Sequence, residues 1–128
     1  MSIEPGLTAQ VHHVVTDDDT ALAMRSGDVP VLATPRVVGL AEEATVAAVV
    51  DHLDPGTTTV GYRVQLDHLA PTPVGGEVTA EAVLETIEGR RLTFRVSIAD
   101  LHGLVAAGRV TRVVVERARF LEKAGGST

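Results

Sequence analysis

A chain of 128 residues, 45% of them hydrophobic and carrying a net charge of -6, can build one packed core but not two. Aromatics make up 2%, so the core must come from Val, Leu, Ala and Ile, and neither the charge nor the side chains suit a nucleic-acid partner. The absence of cysteine excludes disulfides, zinc ribbons and thiol nucleophiles.

Met1 to Leu7 lacks a signal-peptide pattern, and no apolar run approaches the ~20 residues of a membrane span. A cytoplasmic protein without a membrane partner is expected, with one domain over residues 1–128. From Arg90 onward eight basic residues stand against three acids, so a net acidic chain carries a basic C-terminal third that is either a solvated face keeping the protein soluble or a receiver for a compact anion such as a nucleotide phosphate.

In chain order, Val11 to Val15 reads as a short strand, and Thr20 to Met24 as a short helix capped by Asp19. The stretch up to Ala33 has no strong period and reads as a cover over a site, so residues 1–33 form a strand-and-lid segment. Pro35 to Leu53 is the clearest helix, with Thr34 as N-cap and Pro35 in the first turn. It is apolar over most of its circumference, as in a helix buried on nearly all sides. Four strands follow. Thr58 to His68 places Val60, Tyr62, Val64, Leu66 and His68 on one face, and Glu77 to Ile87 and Arg91 to Ala99 alternate in the same way. Val105 to Glu116 is a long strand with a bend or bulge expected at Ala107-Gly108. Residues 117–128 read as a tail, frayed from Gly125.

A strand, a buried helix and a four-strand antiparallel meander make an α+β domain. A curved sheet wrapped around one central helix is the hot-dog fold. A cystatin-like roll is the alternative, and the all-round apolar helix favours hot-dog.

Several residues carry possible chemistry. Glu42 and Glu43 lie about 100° apart on an ideal helix, so one reaches the interior while the other reaches solvent. A carboxylate in apolar surroundings is costly unless paired, and the competing reading puts both at a wet helix margin. His68 ends a core-facing row, where it is either a site residue or a core histidine bonded to a carbonyl. Thr34 caps the helix by default, or orients a water or a carboxylate. Gly61 interrupts a strand, either for a bulge or for close approach of a ligand. His12, His13, His52 and His102 read as surface or turn histidines. No metal-ligand spacing, P-loop or serine-hydrolase motif is present, and no cofactor is expected.

These residues resemble a known family. Val38-Gly39-Leu40-Ala41-Glu42, the Gly61 to His68 strand followed by Ala70-Pro71-Thr72-Pro73, and Glu88-Gly89-Arg90-Arg91-Leu92 with Arg95-Val96-Ser97 look like motifs of the fluoroacetyl-CoA thioesterases. The likeness runs from about Thr34 to Lys123. It implies that Thr34, Glu42 and His68 are catalytic, that Gly61 and Arg112 belong to the substrate site, and that the substrate is an acyl-CoA. It also implies a homodimer with sites at the subunit interface, since Thr34 and Glu42 stand eight residues apart. The family's lid carries phenylalanines, whereas Met24 to Ala33 has no aromatic residue. The resemblance therefore implies thioester hydrolysis of a different small or medium acyl group. A hot-dog hydratase, a non-catalytic acyl-CoA-binding protein and a hydrolase of carrier-protein thioesters remain as alternatives.

Overall fold

The protein is described by a computed structural model covering residues 2–125. The end of the tail expected to fray, 126–128, lies outside the described residues. In chain order the elements are β1 (Thr8–Val14), α1 (Ala21–Met24), α2 (Thr34–Val49), β2 (Thr57–His68), β3 (Glu77–Glu88), β4 (Arg91–Asp100), β5 (Gly103–Glu116) and α3 (Arg117–Lys123).

The five strands form one antiparallel sheet in the order β1-β3-β4-β5-β2. The core lies between this sheet and α2, as the hot-dog expectation required. Period-two alternation turns Val78, Ala80, Ala82 and Leu84 of β3 inward, with Leu92, Phe94, Val96 and Ile98 of β4, each at most 1% exposed. Val37, Leu40, Ala41, Ala44, Ala48 and Val49 of α2 meet them, and the three alanines let the helix axis approach the sheet closely.

The chain departs from the expected meander at β2. Only β3, β4 and β5 run as a meander, because β3 already pairs with β1 and β4, so β2 takes the free side of β5. Within β2, Gly61 faces Arg112 and Arg63 faces Thr111, which leaves Tyr62 as an extra residue in a bulge. The bulge breaks the expected row of five. Thr59 and Gly61 face inward before it, Val64, Leu66 and His68 after it, and Tyr62 turns outward at 51% exposure. There the Arg91 guanidinium donates to the Tyr62 hydroxyl at 3.1 Å and lies 4.6 Å from the ring centroid.

The irregularity in β5 falls at Val105, since Ile98 pairs with Ala106 and Ala99 with Leu104. Gly108 serves the close approach of β2 instead, because a side chain there would run into the Gln65 carbonyl. Nor is α2 buried on nearly all sides. The sheet covers one side only, and Val46 (40%) is exposed on the other, beside Glu43 and Ala47, as is Val50 (52%) just past the helix end.

Asp19 does not cap α1. Thr20 does, its hydroxyl accepting from Ala23 N at 3.2 Å. Asp19 is a buried anchor. Its carboxylate accepts from Thr16 N (2.7 Å), His13 Nε2 (2.8 Å) and Arg36 Nε (3.1 Å), and its carbonyl accepts from Ala33 N (2.8 Å). His13, expected at the surface, is therefore half-buried against it. Burial raises the Asp19 pKa, but the bonds from Thr16 and His13 outweigh it and leave the carboxyl at about 2.

Candidate active site

The start of α2 decides what Thr34 can do. The residue expected to cap the helix is its first helical residue, and Ala33, in extended backbone, occupies the cap position. The Thr34 hydroxyl has no capping duty and meets His68 Nδ1 at 2.8 Å. His68 reaches that point because β2 ends there on its inward face, with Leu69 N held by the Val105 carbonyl at 2.7 Å. His68 Nε2 is buried and has no hydrogen-bond partner among the described residues. Either nitrogen can hold the ring proton, depending on the tautomer.

Thr34 and His68 open on a cavity of about 340 Å³ walled by Val31, Leu32, Leu69, Ala70 and Pro71. Its outer wall is the exposed loop Ser26 to Val29. That loop is closed at its base by Ala21 N donating to the Val31 carbonyl at 2.9 Å. No aromatic side chain lines the cavity.

Glu42, Gly61 and Arg112 gather elsewhere. Glu42 sits two turns along α2 from Thr34, about 12 Å of axial rise. Its Oε2 accepts from an Arg112 guanidinium NH at 3.2 Å. Arg112 is 7% exposed and donates its remaining bonds to Thr59, at 2.9 Å to the hydroxyl and 3.0 Å to the carbonyl. Burial pulls the Arg112 guanidinium below its ordinary value, and the Glu42 carboxylate opposes this. Gly61 completes the cluster by leaving room, since a Cβ on it would lie 2.5 Å from Glu42 Oε2. Glu42 and Arg112 line an open trough of about 510 Å³ with Val11, Gly39, Glu43, Val46 and Ala47.

Within one chain the five expected residues thus form two groups, Thr34 with His68 and Glu42 with Gly61 and Arg112, and the two cavities share no residue. About 23 Å of strand separates Gly61 from His68. Arg112 is engaged with Thr59 and Glu42, which removes it from holding a phosphate at the surface. Thr59 was not singled out in the sequence because it is the third of three successive threonines, and only the bulge at Tyr62 reveals which of them faces inward.

Residues 15–118 match the family model of the fluoroacetyl-CoA-specific thioesterases. The fluoroacetyl-CoA thioesterase of Streptantibioticus cattleyicolor is 40% identical over 93 residues, 73% of this chain and 67% of that one. The chain belongs to the fluoroacetyl-CoA-specific thioesterase family. It is accordingly a thioester hydrolase. A solved structure of a fluoroacetyl-CoA thioesterase superposes with a TM-score of 0.92 at 31% identity, covering 100% of this chain and 99% of that one. A single-residue mutant of a family enzyme in complex with fluoroacetate and CoA superposes with a TM-score of 0.85 at 33% identity, covering 92% and 99%. No helix among the described residues is long and apolar enough to cross a membrane.

Proposed function

We propose that the protein hydrolyses small or medium acyl-CoA thioesters, with the working site shared between two subunits. The observation that carries this is the Thr34–His68 hydrogen bond at the mouth of a cavity, in a chain of a thioesterase family. A family enzyme has been captured with CoA, which supports coenzyme A as the thiol half of the substrate.

The chemistry follows from the two groups. Thr34 holds the His68 ring through Nδ1 at the mouth of the cavity, where His68 serves as general base toward water. Arg112 holds Glu42 by Oε2, which leaves Oε1 to position that water. Backbone N–H groups near Gly61 stabilise the carbonyl oxygen as it gains charge. Collapse of the tetrahedral intermediate breaks the C–S bond, and His68 returns its proton to the departing thiolate, giving acid and free CoA.

A second subunit brings the groups together. β2 is a twelve-residue edge strand, and beyond it the sheet has no further strand among the described residues. The uncovered face of α2, with Val46 and Ala47, lies on the trough that holds Glu42. Antiparallel pairing of two β2 edges slides one protomer's Thr34 and His68 toward its partner's trough. The acyl group occupies the Thr34–His68 cavity under Ser26 to Val29, which form the lid. Because that wall carries no aromatic ring, the preferred acyl group is not fluoroacetyl. A cysteine-free, net acidic chain suits the cytoplasm.

The test is thiol release across an acyl-CoA panel. Glu42→Gln and His68→Ala, each folded by circular dichroism, should lose at least about a hundredfold in kcat. Wild-type hydrolysis rates in both variants would overturn the assignment. A change in double-bond absorbance without thiol release would favour the hydratase.

A further inference from the structure

We propose that the pocket between α3 and the β3–β4 turn binds the adenosine phosphate end of coenzyme A, and that it serves the active centre containing the other subunit's His68. This rests on the thioesterase reading above and names where the far end of its substrate is held.

Most cations of the chain are already occupied. Arg36, Arg95, Arg109 and Arg112 are in ion pairs, and Arg63 and Arg91 lie against the Tyr62 ring. Of those left without a carboxylate within 4 Å among the described residues, all but Arg25 gather at one end of the molecule. Arg90, Arg119 and Lys123 line the same cavity of about 150 Å³. Arg112, the basic residue nearest the chemistry, is buried and engaged, so phosphates must be met elsewhere.

The cavity has more than charge. Phe120 forms part of its wall and is 39% exposed, whereas Phe94, the other phenylalanine, is in the core. An exposed ring flanked by cations suits a purine bearing phosphates, through stacking on the ring and charge-assisted bonds to the oxygens. Glu116, the one acid in the lining, offers an acceptor for the exocyclic amine of adenine. Arg119, Phe120 and Lys123 also lie beyond residues 15–118, the part that matches the family model.

The position fits only across the subunit boundary. Thr57 pairs with Glu116, so α3 sits at the start of β2, about 36 Å of strand away from the same chain's His68. That exceeds the reach of one substrate molecule. When the partner's β2 pairs antiparallel so that its His68 lies beside Gly61, the remaining path to Thr57 is about 13 Å, comparable to an extended pantetheine arm. One substrate would then run from one protomer's Thr34 and His68, past its partner's Glu42, to that partner's α3.

The experiment compares wild type with the double variant Arg119→Ser/Lys123→Ser, and with Arg90→Ser as a second variant if the first is misfolded. KM for acyl-CoA should rise about tenfold or more, while KM for the same acyl group on pantetheine should not move. The wild-type KM for acyl-CoA should also climb with ionic strength, and the variant's should not. Equal KM values for acyl-CoA in variant and wild type would overturn the site. Calorimetric titration with adenosine 3′,5′-bisphosphate separates this proposal from the thioesterase reading. Binding by wild type and not by the variant supports the pocket even if no thioester is cleaved. Failure of wild type to bind, or equal binding of inorganic phosphate, overturns the pocket even if thioesters are hydrolysed.

Discussion

Glu42 has its place because Gly61 has no side chain. A methyl group on Gly61 would meet Glu42 Oε2 at 2.5 Å, and the atom it meets is the free end of a flexible chain. The backbone can therefore accept Gly61→Ala cheaply, but the carboxylate cannot stay on Arg112. The expected outcome is a kcat lower by about tenfold to a hundredfold with melting temperature nearly unchanged, since misplacing a reacting group by an ångström costs on that order. Steady-state kinetics beside a thermal melt checks it, and an unchanged kcat would show that the Glu42 position does not matter. Residue type and position marked Glu42, Gly61 and His68 singly, and the family resemblance added Arg112. What they could not show was which residues meet. Thr34 reads as a cap because threonine before proline usually is one, and only the extended backbone of Ala33 releases its hydroxyl to His68.

Between elements, Asp19 is the tie. Its carboxylate joins β1 through His13 and α2 through Arg36, and its carbonyl holds Ala33, one residue before Thr34. The Asp19 pKa falls from 3.8 to about 2 on folding, so its contribution is fully present above pH 4 and is lost as pH drops through about 2. The size, discounted for solvent screening, is on the order of 1–2 kcal/mol. Urea unfolding of Asp19→Asn should show that deficit at pH 7, and the gap to wild type should narrow as the pH approaches 2. A gap independent of pH would mean that the charge is not what matters. The strands β3 and β4 were legible to within a residue, because both edges of each are paired and their inward rows are uniformly apolar. The inward row of β2 was legible only after Tyr62. A bulge shifts period two by one residue, and nothing in Val60-Gly61-Tyr62-Arg63 distinguishes it from a regular strand. Asp19 was read as a helix cap, not as an anchor, because the three residues of Asp17-Asp18-Asp19 look alike until the fold buries one of them.

For the whole molecule the question is which chain supplies which half of the site. Inactive Glu42→Gln and inactive His68→Ala proteins, unfolded together and refolded in equal amounts, should regain about one quarter of wild-type activity, because half of the dimers are mixed and each of those has one intact site. No recovery would place the whole site within one chain. The α+β class and the central helix were readable from the pattern of elements, whereas the place of β2 was not, since edge positions depend on which neighbours are already taken. That same placement has a consequence during synthesis. β2 is made early, yet the strand that receives it, β5, ends at Glu116, so the pairing Thr57 to Glu116 closes a loop of nearly half the chain. On the ribosome β2 must wait, with its inward face wet, until the last strand emerges. Folding will be slow for a chain of this size, and the waiting intermediate is the form a chaperone would meet.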